Sequence, residues 1–125
     1  MKRGGPLRRK TRMRAVNPER KAKRYARDFG DLAAFIRERS CCTCGKSGPS
    51  DPAHVKSRGA GGHAWTDGGS GNIIPLCRAC HGLQHAKGWA ALADEMNPGF
   101  CMPPHWAEYL AADYGREFLE QGGER

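Results

Sequence analysis

Apolar residues gather in short runs whose spacing changes along the chain. From Tyr25 to Arg39 they fall at Tyr25, Phe29, Leu32, Phe35 and Ile36, the spacing of one face of a helix, with Gly30 a weak point near its middle. A short amphipathic helix is predicted there, within residues 25–40. The stretch "CCTCGKSGPSDPAHV" is punctuated by glycine and proline so often that only tight turns and very short strands fit. Six of the thirteen residues from Gly59 to Gly71 are glycine, which reads as a flexible loop or a place of close backbone approach. A brief strand, "NIIPL", follows. From Arg78 one helix is predicted through "ACHGLQHAKGWAALADEM", tolerating Gly82 and Gly88 at about 1 kcal/mol each relative to alanine. Asn97, Pro98 and Gly99 end it. A last helix, in "PPHWAEYLAADYGREFLE", opens on prolines and places Trp106, Leu110, Tyr114 and Phe118 four apart, a stripe read as core packing. No internal repeat is found.

Charge changes this picture most at the N-terminus. Residues 1–27 hold 12 Lys/Arg against one acid, Glu19, whereas the remaining 98 residues hold 9 against 12. The positive charge is therefore an arm, "MKRGGPLRRKTRMRAVNPERKAKRYAR", with almost nothing to bury. Such a segment repels itself and is expected to order on a polyanion, so Arg8, Arg9 and Lys10 become candidate nucleic-acid contacts. Residues 91–125 carry seven acids against two bases and are not expected to touch phosphates.

Only 38% of the 125 residues are hydrophobic and 17 are glycine, so the apolar core must be small and needs a staple. Six cysteines are available. The N-terminus is basic with no apolar run behind it, and no segment approaches the roughly 18 continuous apolar residues of a membrane span. A reducing, cytoplasmic compartment is expected, with no membrane partner, and metal rather than disulfide chemistry at the cysteines.

Cys41 and Cys44 form one C-x-x-C, Cys77 and Cys80 a second, with 32 residues between the pairs. Each pair can sit on a knuckle turn that aims both thiolates at one tetrahedral Zn²⁺, and a closed four-thiolate site is structural rather than catalytic. The intervening stretch is longer than the roughly 15 to 20 residues of a plain zinc ribbon, so something is built inside the loop. Cys42 is spaced poorly for a knuckle, and Cys101 reads as a small buried apolar residue. His81 follows the second knuckle, and His85, four residues on, shares its face of the predicted helix. Two imidazoles one turn apart can grip a divalent ion and leave positions open for water and phosphate oxygen.

Upstream, His54 in "DPAHVKSRGAGG" lies between the knuckles, followed by Lys56 and Arg58, and Asn72 opens the strand before Cys77. In order, His54, Asn72 and His81, framed by two C-x-x-C pairs, with Asn72 nine residues before His81 and "CxxCH" at the end, resemble the HNH endonuclease family. The wider stretch "AHVKSRGAGG...GNIIPLCRACHGLQH" looks like the small HNH proteins of bacteriophages and prophages, which implies a bacterial host cell. The resemblance spans residues 41 to about 90.

It implies an α+β protein with a small zinc-stabilised ββα-metal core at residues 41–96. A disordered basic arm at residues 1–24, the helix at 25–40 and a C-terminal helical extension at 97–125 would flank that core. It further implies that His54 is the general base, that Asn72 orients it by fixing the loop, and that His81 and His85 bind the catalytic ion. Mg²⁺, Mn²⁺, Ni²⁺ or Zn²⁺ would suit that position. Many family members place an Asp or His directly before the base as a metal ligand, and here that residue is Ala53. Asp51, His63, Asp67 or water are the replacements the sequence offers. Imidazole titrates near neutrality, so such a base can take a proton from water while an ion neutralises charge on the scissile phosphate. Lys56, Arg58 and the arm would hold DNA phosphates.

The expected function is metal-dependent hydrolysis of DNA phosphodiester bonds. The alternative is a catalytically inactive, zinc-stapled nucleic-acid-binding protein, and a small structural protein that packages nucleic acid is a third reading. A homodimer formed through the C-terminal helix is an arrangement the sequence allows.

Overall fold

The computed structural model describes residues 17–57, 62–96 and 105–125. The candidate contacts Arg8, Arg9, Lys10 and Arg58, and the unpaired Cys101, lie outside these residues. In chain order the elements are α1 (Pro18–Asp28), α2 (Gly30–Arg37), β1 (Asp51–His54), β2 (Ile73–Leu76), α3 (Arg78–Lys87), α4 (Trp89–Met96) and α5 (Trp106–Glu120). The class is α+β, with helices around one small antiparallel sheet.

The first helix begins seven residues before the position that apolar spacing predicts, at Pro18 rather than Tyr25. Its start is set by polar chemistry. Asn17 Oδ1 accepts hydrogen bonds from the backbone N–H of Glu19 and Arg20 at 3.0 and 3.3 Å, Pro18 occupies the first helical position, and Arg27 sits in the last turn. Residues 18–24, expected to belong to a disordered arm, are thus helical. The chain then turns at Phe29, whose backbone leaves helical geometry at φ −129° and ψ −64°, and two helices replace the single one predicted.

A similar correction applies after the sheet. Gly88 takes φ +91°, a conformation open to glycine and costly for other residues, so the predicted helix from Arg78 breaks into α3 and α4. Gly82, also tolerated in the prediction, stays inside α3.

Strands β1 and β2 pair antiparallel with Asp51 opposite Leu76, Ala53 opposite Ile74 and His54 opposite Ile73. Because side chains alternate along a strand, the sheet separates two cores. One face carries Ala53, Ile74 and Leu76 into a cluster with Cys41, Cys77, Cys80, Leu92, Trp106 and Ala111. The other sends Ile73 against Leu32, Ala33 and Ile36 of α2 and Phe118 of α5. Helix α5 serves both: Trp106 is buried in the first core and Phe118 in the second, as its four-residue stripe predicts.

A close approach of backbones lies beneath α5. A Cβ added at Gly115 would stand 2.8 Å from the Gly71 nitrogen and 3.0 Å from the Trp65 ring, and one added at Gly71 would stand 2.5 Å from the Ala111 carbonyl oxygen. Gly115 sits mid-helix, where alanine is ordinarily better by about 1 kcal/mol. Gly115→Ala is nonetheless expected to lower stability by about 1–2 kcal/mol, since overpacking outweighs propensity. Urea unfolding measures it, and an increase in midpoint would show that the loop carrying Gly71 yields freely.

Candidate metal centres and catalytic face

Four sulfurs meet at the base of the sheet. The Sγ atoms of Cys41, Cys44, Cys77 and Cys80 lie within 4.8 Å of one another, and Cys44 and Cys77 are 3.6 Å apart. Sulfurs bound tetrahedrally at about 2.3 Å from one ion stand about 3.8 Å apart, so the cluster has the dimensions of such a site. The first pair sits on a turn closed by Gly45 N–H to the Cys41 carbonyl at 3.0 Å and Cys41 N–H to the Lys46 carbonyl at 2.9 Å. Cys42 N–H donates to the Pro75 carbonyl at 3.0 Å, tying this turn to β2. The second pair is presented by a helix start: Cys77 is the N-cap of α3, its sulfur accepting from the Cys80 N–H at 3.5 Å.

Electrostatics agree with a cluster that wants a cation. Burial opposes ionisation of Cys41, but hydrogen bonds from the Cys44 backbone, the Thr43 hydroxyl and the Cys77 backbone bring its thiol down to about 6. Burial, and behind it the neighbouring sulfurs, push Cys80 up to about 12. Four thiols this close cannot all ionise without a positive charge between them. Cys42 stands outside the cluster, and burial together with the Cys41 charge pushes it up to about 12.

One residue beyond Cys80 the helix surface changes character. Neighbours on a helix point about 100° apart, so while Cys80 turns inward, His81 turns toward β1. Its Nδ1 lies 3.2 Å from Asp51 Oδ2, and its Nε2 lies 3.0 Å from the Nε2 of His85. Asp51 also receives the Arg78 guanidinium at 3.2 Å. Of the three side chains offered as a replacement ligand, Asp51 is the one that touches His81, and it does so on the nitrogen facing away from His85. His63 is engaged elsewhere, on the Asp28 carboxylate. Among the described residues, the four cysteines form the only group of three or more Cys, His, Asp or Glu side chains close enough to share an ion. His81 and His85 are a pair with a carboxylate behind it.

His54 ends β1 half-buried, on the face toward α2. Its Nε2 lies 2.5 Å from the Asp28 carbonyl oxygen, and the Phe29 ring meets it edge-on with centroids 4.8 Å apart. A neutral ring donating from Nε2 carries its lone pair on Nδ1. Ala53, by contrast, faces α3 and is fully buried beside Cys77, Cys80 and Leu92, so hydrophobic core fills the position where a ligand was absent from the sequence.

Asn72 clamps the loop. Buried to 4% exposure, its Oδ1 accepts from the Lys56 N–H at 3.0 Å while Nδ2 donates to the carbonyls of Lys56 and His63 at 3.1 and 2.8 Å. Its backbone carbonyl and N–H bond Val55 and Ala64, each at 2.8 Å. The side chain thus joins the chain just after β1 to the segment beyond the glycines, next to His54. The Lys56 side chain is exposed above it.

Asp28 is the residue that sequence reasoning missed. Besides holding His54 through its carbonyl, it buries a carboxylate that His63 Nδ1 and Arg27 Nε each approach to 3.1 Å. Burial pushes that carboxyl up, but the hydrogen bonds from His63 and Arg27 outweigh it and hold it below the usual carboxylate range. An aspartate at the end of a basic run carries no spacing signal; only the turn at Phe29 brings it beneath β1.

None of the protein-family models, curated proteins or solved structures compared with the chain matches it. Among the described residues no helix is long and apolar enough to cross a membrane.

Proposed function

We propose that the chain is a metal-dependent HNH endonuclease that hydrolyses DNA phosphodiester bonds, of the small phage or prophage type. In this reading the hairpin of β1 and β2 followed by α3 is the ββα core. A structural Zn²⁺ takes the four thiolates, and a second, exchangeable divalent ion takes the Nε2 atoms of His81 and His85. The observation that carries the reading is the parting of adjacent Cys80 and His81 into separate clusters, with the two imidazole nitrogens 3.0 Å apart. Two nitrogens bound at about 2.1 Å to one ion stand about 3.0 Å apart at a right angle and about 3.4 Å apart in a tetrahedron, so the pair fits.

When bound, that ion would supply positive charge at the scissile phosphate and at the departing 3′ oxygen. The rest falls to side chains. His54, donating through Nε2 to Asp28, takes a proton from water on Nδ1; the water oxygen attacks phosphorus in line as the bond to the 3′ oxygen breaks. Asn72 keeps the loop against the strand end, as an orienting residue must. Asp51, accepting from Nδ1–H of His81, fixes the tautomer that leaves Nε2 to the ion, the role carboxylates play behind metal-bound histidines. Lys56 and Arg58 hold phosphates flanking the cut.

A second reading is favoured by two observations: Ala53 offers no ligand, and the alternation of β1 puts His54 on the opposite sheet face from Asp51. On that reading the chain is a zinc-stapled nucleic-acid-binding protein without activity.

Two variants decide between them. His54→Ala is expected to lower nicking of supercoiled plasmid in Mg²⁺ or Mn²⁺ by at least about 100-fold with DNA binding unchanged; undiminished nicking removes His54 from the mechanism. Asp51→Asn is expected to weaken the exchangeable ion about 10- to 100-fold, by calorimetric titration with Mn²⁺ or Ni²⁺, while the zinc content stays the same. Unaltered affinity would show that the Asp51 contact does not orient His81.

A further inference from the structure

Helix α1 is a preformed cationic surface whose far end holds the base. With residues about 100° apart, Lys23, Arg27, Arg20 and Arg24 fall within about 100° of arc, and they rise over about 10 Å along the axis. Residues 17–27 are all exposed, and among the described residues Arg20, Lys23 and Arg24 make no ion pair. Arg27 reaches back to Asp28 at 3.1 Å with its side chain still 57% exposed. On the other side of the helix Tyr25 stacks on Phe29 at 5.2 Å between centroids, and Phe29 meets His54. The Asp28 carbonyl, at the last position of α1, holds the His54 ring.

We infer that the Arg20–Lys23–Arg24–Arg27 face of α1 is a docking surface for the phosphate backbone of duplex DNA, fixed in register to His54 through Asp28 and Phe29. The inference rests on the nuclease reading for the identity of its ligand and on the geometry of α1 for its place. Cations carried by a capped helix need no backbone ordering when they bind, so each phosphate contact costs little conformational entropy. The opposite end of the chain repels the same ligand, since residues 91–125 carry seven acids against two bases. An anionic membrane is the poorer partner. A helix that lies in a bilayer surface exposes an apolar stripe, and α1 offers only Ala22, Ala26 and a Tyr25 already stacked on Phe29.

The test compares full-length chains carrying R20Q/K23Q/R24Q or R8Q/R9Q/K10Q, two variants that lose the same charge. Glutamine keeps helix propensity, and circular dichroism with zinc content checks the fold. Binding to a 20-base-pair duplex is followed by fluorescence anisotropy from about 50 to 200 mM salt, without added divalent metal so that no strand is cut. At about 0.9 per neutralised phosphate, the α1 variant is expected to flatten the plot of log affinity against log salt by about 2.7, and to bind at least about tenfold more weakly than the R8Q/R9Q/K10Q chain. A slope within about 0.5 of the parent overturns the inference, as does an arm variant that reproduces the full loss. So does a parent that binds phosphatidylserine vesicles and loses them, rather than DNA, when α1 is neutralised. Because binding is read without cleavage, a chain that loses slope but never cuts sinks the nuclease reading alone.

Discussion

The four-sulfur cluster is the constraint on which the rest of the structure depends. It joins a turn at Cys41–Cys44 to the end of β2 and the start of α3, segments far apart in sequence and each too short to be stable alone. Sulfurs 3.6 Å apart, with one thiol drawn down to about 6 and another pushed up to about 12, form a cluster that a cation among them would stabilise. Because Cys80 must face inward, the rotation of α3 about its axis is fixed. His81 and His85 are then obliged to face Asp51.

The hairpin divides the remaining work. Its α3 face holds hydrophobic core and, at the Asp51 end, the carboxylate behind the two histidines; its α2 face ends in His54, held by Asp28. Asp28 is a junction between the basic helix, the last residue of β1 and the segment carrying His63, and Asn72 closes the same loop from the other side. Under the nuclease proposal, the groups that grip DNA and the group that activates water therefore belong to one mechanically connected unit.

Much of this was legible in the residues, and the gaps have physical causes. The two C-x-x-C pairs announced a four-sulfur cluster because knuckle spacing is a local property, and the apolar stripe of α5 announced its core face for the same reason. The i, i+4 spacing of His81 and His85 placed them together. Helix α1 escaped because its start is written in an Asn17 cap and Pro18 rather than in apolar periodicity, while the break at Gly88 was hidden by a pattern that continued through it. Asp28 and Asp51 could not be assigned from sequence, since each acts across a tertiary contact: one through a backbone carbonyl, the other through a partner 30 residues away. Ala53 was visible as a departure, but its burial in the core was not.

The central claim is that adjacent Cys80 and His81 serve different ions. X-ray absorption at the zinc edge, on protein carrying one equivalent of tightly held zinc, reads the coordination shell directly. Four sulfur scatterers at about 2.3 Å and no nitrogen are predicted. A mixed shell of sulfur with an imidazole nitrogen at about 2.0 Å, lost on His81→Ala, would place both side chains on one ion and contradict the account.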